Sequence, residues 1–311
     1  MTQQQTTGIM VLMAGMAERA RMAELVGDRL GLALADVRPA DGGQGRTCYA
    51  SLAGTPVVVK WGLDPDLPGK IPYVAGQVPE LRRRDIPVPR ILAHAPLGGQ
   101  PGGYGWVLER LPGAPGTVLD EALLGDLVEL IARMAAAPPG PHRNDMGYWA
   151  PAVVFEDMAG WWRTAEAMGP EAAGFCRRLR AWAGQAPPPP VARPGYVHVD
   201  LGLGNILVAD GRLAGVIDTE NLGVGDRCID LARLAFEWDL LARAGTPGLA
   251  ANGTERLAAL GRAISGPAAW RVAVAYELIS RIGWRSEHHD QPDPHRLLSA
   301  CVEFLDLPAI R

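Results

Sequence analysis

Three polar residues, His198, Asp200 and Asn205, interrupt an otherwise apolar stretch, YVHVDLGLGNILV, at residues 196–208. β-prone residues flank them on both sides, so the pattern predicts two strands joined by a polar loop. An ordinary tight turn would favour Asn-Gly or Asp-Gly. This loop instead offers a carboxylate at Asp200 and an amide at Asn205. A carboxylate so placed can orient a hydroxyl and take its proton. An amide oxygen can reach a hard metal ion. Further on, Asp218 closes the short apolar run GVID after an ADGR turn. A strand pair of that length presents Asp218 close to Asn205, so both can share a Mg²⁺ ion held on phosphate oxygens. Taken singly, Asp200 and Asp218 also read as turn or capping carboxylates.

Two earlier features extend the set. Gly42, Gly43 and Gly45 lie in DGGQGRTCYASL, between two predicted strands. Glycines let a backbone approach phosphates closely, although a plain hairpin turn fits the same text. No helix opens after them, which excludes a Rossmann fingerprint. Lys60 ends the apolar run TPVVVK. An ammonium just inside a buried strand needs a partner, and nucleotide phosphates supply one, although a lysine snorkelling from a strand end fits the same text. Lys60 and Lys70 are the two lysines of a chain that otherwise uses arginine. A lysine that survives such a bias points to a need for lysine itself. In sequence order, glycine loop, Lys60, His-x-Asp-x-x-x-x-Asn and Asp218 have the layout of a kinase site.

The elements that position these residues follow from periodicity. Residues 15–31 have a helical pattern ending near Gly31. LALADVRP, TCYASL, PVVVKW, IPVPRILAHA and GYGWVLERL read as strands. VAGQVPELRRRD reads as a helix shortened or kinked by Pro79. LPGAPG, residues 111–116, reads as a hinge. Beyond it the pattern turns helical, with FEDMAGWWRTAEAM taken as one helix and one embedded pair of strands carrying the opening motif. The expected fold is α+β and bilobal: a β-rich N-lobe over 1–110, a hinge over 111–116, and a mainly helical C-lobe over 117–311.

Composition sets outer bounds. At 311 residues and 48% hydrophobic, the chain can bury two cores. No apolar run reaches the ~18 residues of a membrane span. The net charge of −4 does not suggest a nucleic-acid partner. The acidic excess falls after residue 113, which suits a cationic ligand and equally an ordinary solvated surface. Cys48, Cys176, Cys228 and Cys301 are scattered, as expected of free thiols in a reducing cytoplasm.

On HVDLGLGNIL and IDTENLGVGDRCIDLA, with looser matches at VPR and WVLERLPG, the chain resembles the aminoglycoside phosphotransferase family. These are small-molecule kinases with a protein-kinase-like fold. The resemblance runs from about Gly42 to Ala232. It implies that Asp200 is the catalytic residue and that Asn205 and Asp218 bind Mg²⁺. Lys60 would contact the α/β-phosphates, with Gly42, Gly43 and Gly45 over the nucleotide. Backbone groups from Glu109 to Leu111 would meet the base of ATP or GTP. His198, Asp226 and Asp230 would support the loop. Three positions depart from the family text. Val199 replaces a glycine, Thr219 stands where an aromatic is frequent, and the helix partner of Lys60 is displaced to Glu80 or replaced by Gln77.

The resemblance further implies a cationic acceptor set against acidic residues of the C-lobe. Glu237, Asp239, Glu277 and Glu287 are the candidates, beside Trp238, Tyr276 and Trp284. The expected activity is phosphorylation of a hydroxyl on a small cationic antibiotic, an aminoglycoside or a basic cyclic peptide, giving resistance. The alternatives are a metabolic kinase for choline, a sugar or an amino alcohol, and a nucleotide-binding module without turnover.

Overall fold

The alternation in the first third folds as an antiparallel sheet. A computed structural model of the chain describes residues 3–40, 45–98, 103–140, 144–185, 194–287 and 294–311. Helix α1 (Gln3–Leu30) ends at Gly31, whose φ of 66° lets the chain turn back. Strands β1 (Leu34–Pro39), β2 (Thr47–Leu52), β3 (Thr55–Gly62), β4 (Ile91–Gly98) and β5 (Gly103–Glu109) follow, in the spatial order β1-β2-β3-β5-β4. Side chains alternate across the sheet. Val57, Val59, Trp61 and Val107 pack with Ala23 and Val26 of α1. On the other face, Trp106 and Leu108 pack with Leu67 and Ile71 of α2 (Leu67–Arg83).

That second helix differs from expectation. It starts at Leu67, before the expected segment, and runs through Pro72 and through Pro79, at which a shortened or kinked helix was expected. Apart from Tyr73, its buried residues Leu67, Ile71, Val74, Val78 and Leu81 recur at alternating four- and three-residue steps. The stripe so buried outweighs the roughly 3 kcal/mol that a proline costs inside a helix.

The chain divides into two compact units, Met1–Arg83 with Pro87–Pro112, and Arg84–Ile86 with Gly113–Arg311. The division falls between Pro112 and Gly113, inside the segment read as the hinge. The second unit begins with β6 (Ala114–Pro115) and α3 (Glu121–Ala136), whose N-cap Asp120 accepts from the Leu123 N–H at 2.8 Å. Next come α4 (Met146–Glu156), α5 (Trp161–Glu166) and α6 (Pro170–Ala183). The text FEDMAGWWRTAEAM is therefore two helices, not one. Asp157 (φ 54°) and Gly160 (φ 73°) break it, and the Asp157 carboxylate accepts from the Trp162 N–H at 3.1 Å.

Strands β7 (Gly195–Val197), β8 (Ile206–Ala209), β9 (Arg212–Val216) and β10 (Gly223–Gly225) form two small sheets, β10-β7 and β6-β8-β9. The two strands flanking the opening motif thus pair with different partners, where the sequence reading had one pair. Helices α7 (Cys228–Arg243), α8 (Gly253–Glu287) and α9 (Pro294–Leu305) complete the unit. Gly266 (φ 86°, ψ 161°), followed by Pro267, breaks α8 internally. All four cysteines are free and buried. Among the described residues, no helix is long and apolar enough to cross a membrane.

Candidate active site

The β8–β9 ladder sets Ile206 opposite Val216, and the Ile217 N–H donates to the Asn205 carbonyl at 2.9 Å. Asn205 and Asp218 therefore flank the same end of this hairpin. The Asn205 amide nitrogen donates twice to Asp200, to its carbonyl at 2.8 Å and to its Oδ2 at 3.0 Å. With the nitrogen so engaged, the amide oxygen is the atom left for a metal ion. One amide oxygen and the Asp218 carboxylate are hard donors of the kind Mg²⁺ takes alongside phosphate and water. Asp218 sits at φ 59°, ψ 46°, a conformation that aspartate tolerates better than most residues.

A buried carboxylate holds the loop between β7 and β8. Asp230 on α7 accepts the His198 N–H at Oδ2 and the Val199 N–H at Oδ1, each at 2.9 Å. Burial pushes the Asp230 carboxyl up, and His198 and these two N–H donors pull it back. The fully buried His198 ring donates its Nε2–H to the Ile217 carbonyl at 2.9 Å, tying the loop to the strand that leads into Asp218. The leucines of the loop, Leu201 and Leu203, are buried beneath it. Asp226 accepts from the Cys228 N–H at 2.8 Å and from the Ser265 hydroxyl at 2.6 Å, joining the start of α7 to the break in α8. Burial, then Asp226, push the Cys228 thiol up to about 12, so it is an inert packing group.

Further along α7, Arg233 pairs with Asp200 Oδ1. Its other terminal nitrogen lies 3.6 Å from Glu277 Oε2, and Glu277 Oε1 accepts from Arg281 Nε. Burial raises the Glu277 carboxyl, but the Arg281 and Arg233 guanidiniums outweigh it and hold it below the usual range. Glu237 Oε1 accepts the Leu203 N–H at 2.9 Å, and a Cβ at Gly202 would collide with its Oε2. A side chain at Gly202 would therefore push the Glu237 carboxylate away from the Leu203 N–H. Tyr276 is buried 6.1 Å from the Trp161 ring, and burial pushes its phenol up.

The acids expected to face a cationic acceptor are thus largely engaged within the protein. Glu277 and Glu237 are bound as above. Asp239 is buried against Arg243 at 2.7 Å, its carboxyl raised by burial. The side chains of Glu287 and Trp284 lie outside the described residues. The sequence reading missed Arg233, which stands beside Asp200. The available signal was spacing: Asp230, Arg233 and Glu237 lie on one face of α7, three and four residues apart.

In the first unit, Lys60 is 8% exposed, opposite Trp106 in the ladder, with Nζ 5.5 Å from that ring's centroid. It lies on the sheet face that carries α2, the helix of Gln77 and Glu80. Glu80 pairs with Arg83 at 2.7 Å. Glu109 Oε2 gathers Arg82 at 2.8 Å and Arg90 at 3.2 Å, and Leu111 follows the end of β5. Gly45 has φ 75°, while Gly42 and Gly43 lie outside the described residues.

Residues 36–273 match the family model described as "Phosphotransferase enzyme family" (APH). No curated protein matches the sequence. Among solved structures, the chain is similar to a thermostable mutant of the aminoglycoside phosphotransferase APH(4)-Ia. The TM-score is 0.68 at 17% identity, covering 91% of this chain and 98% of that one. A microcompartment-associated aminopropanol kinase matches with TM-score 0.63 at 18% identity, over 87% and 90% of the two chains. The macrolide 2'-phosphotransferase MphH from Brachybacterium faecium matches with TM-score 0.59 at 19% identity, over 90% and 97%. The chain belongs to the phosphotransferase enzyme family, and it is a small-molecule kinase with an alcohol group as acceptor.

Proposed function

We propose that this enzyme transfers the γ-phosphoryl group of ATP to a hydroxyl of a small basic antibiotic, and so confers resistance. The observation that carries the reading is the assembly of Asp200, Asn205 and Asp218 around one hairpin end. Asp200 orients the acceptor hydroxyl and takes its proton as the oxygen bonds to the γ-phosphorus. The bond from that phosphorus to the bridging oxygen breaks, and ADP leaves. Asn205 and Asp218 hold Mg²⁺, which when bound offsets phosphate charge. Lys60 contacts the α/β-phosphates, and backbone from Glu109 to Leu111 meets the base. A similar structure determined with AMP-PNP and hygromycin B supports ATP and a cationic acceptor; GTP has no such support.

A second acceptor class, a small amino alcohol, is favoured by one observation. Glu237, Asp239 and Glu277 are satisfied internally, which leaves fewer free carboxylates for a polycation. The deciding assay incubates the enzyme with Mg²⁺ and ATP against hygromycin B, a macrolide, aminopropanol and choline. Product carrying one added phosphoryl group is detected by mass. Phosphorylation of aminopropanol alone rejects the resistance reading. Asp200→Ala is expected to lose about 10²- to 10⁴-fold in turnover while keeping ATP affinity. Near-normal turnover in that variant rejects the assignment of Asp200.

A further inference from the structure

We infer that Arg233 is a positioning residue that fixes the Asp200 carboxylate for the reaction; the inference rests on the proposed role of Asp200. Two donors grip that carboxylate from different sides, Arg233 at Oδ1 and the Asn205 amide at Oδ2. A carboxylate offers about four acceptor sites, so each oxygen keeps a lone pair for an incoming hydroxyl. Asp200 is 40% exposed as a side chain, and without both grips it would rotate about χ1 and χ2 in solvent.

Arg233 is itself held. Its partner Glu277 is 4% exposed as a side chain and is anchored on its far oxygen by Arg281. The Arg281 guanidinium in turn lies 5.0 Å from the Phe236 ring centroid. Asp200, Arg233, Glu277 and Arg281 form a row of alternating charge that leads from solvent to a buried anchor. Stability does not explain such a row. The exposed outer pair adds little, and burying the inner charges costs desolvation that their attraction only offsets. What it supplies is a single orientation for the outermost carboxylate, and small displacements of a reacting group cost large factors in rate.

The test uses the intact chain with Mg²⁺-ATP and water as the acceptor, following phosphate release in single turnover with enzyme in excess. Asp200→Asn runs in parallel. Arg233→Met is expected to slow hydrolysis at least about tenfold with ATP affinity unchanged. Arg233→Lys is expected to recover part of the rate. Arg233→Ala is expected to recover with millimolar guanidinium, a response that a structural role would not give. Full-rate hydrolysis in Arg233→Met, with Asp200→Asn inactive, overturns this inference and leaves the proposed function standing. Hydrolysis in the parent that is indifferent to Asp200→Asn overturns the role of Asp200, and this inference with it. Should Arg233→Met unfold, failure of both lysine and guanidinium to restore rate overturns the inference.

Discussion

Val199 is the most constrained residue of the loop. It holds φ at 72°, a left-handed conformation that a β-branched side chain adopts at a cost of roughly 1–2 kcal/mol. The Asp230 carboxylate enforces it by taking the N–H groups of His198 and Val199 together. A glycine at this position would remove the strain and add about 0.5–1 kcal/mol of backbone entropy loss. Val199→Gly is therefore expected to match or exceed the parent in stability, by up to about 1 kcal/mol. Denaturant midpoints compare the two. A loss greater than about 1 kcal/mol would show that the valine side chain contributes packing that outweighs its strain.

At the scale of elements, helix α7 organises the loop. Asp230 meets His198 and Val199, Arg233 meets Asp200, and Glu237 meets Leu203. The three carboxylate or guanidinium groups span about 10 Å of helix, so the loop runs along α7 in one direction. Helix α8 contributes Glu277 and Arg281 behind them. Glu277→Gln leaves the largely buried Arg281 guanidinium without its carboxylate and is expected to cost about 3–5 kcal/mol at neutral pH. The pH dependence has a definite sign. The folded-state pKa of Glu277 lies below its unfolded value, so the ionised group contributes stability above about pH 4.3. That contribution disappears as the pH falls through the lower, folded value. The stability gap between parent and Glu277→Gln should therefore narrow in acid. Urea titrations at neutral and acidic pH measure it, and a gap that is constant with pH would contradict the assignment.

At the scale of the whole molecule, ligand binding reports on the proposed metal pair. A ligand that binds the folded chain raises its stability by RT ln(1 + [L]/Kd). ATP with Mg²⁺ should raise the melting temperature more than ATP alone, and Asp218→Ala should abolish the difference. Equal shifts with and without Mg²⁺ in the parent would remove Asp218 and Asn205 from the metal site. Much of the architecture was legible along the chain. Alternation marked the strands around Lys60, and the stripe on α3 marked a helix, because both periodicities record which face is buried. Pro79 misled the expectation for α2, where burial of Leu67, Ile71, Val74, Val78 and Leu81 overrode a local penalty. Asp157 and Gly160 passed unnoticed as a helix break, since an aspartate in a left-handed cap leaves little trace in composition.

The candidate site divides along the same line. The spacing of His198, Asp200 and Asn205, and the hairpin that returns Asp218, are local properties, and sequence alone determined them. The partners of those residues are not local. Asp230 reaches back 32 positions to His198, and Glu277 reaches Arg233 from another helix. Charged residues at helical spacing look alike whether they face solvent, substrate or one another. Only the packing of α7 and α8 against the loop decided that Glu277 and Glu237 are bound within the protein and that an arginine stands beside Asp200. Burial makes that decision, because a charge removed from water must find its counter-charge among whatever residues the fold brings near.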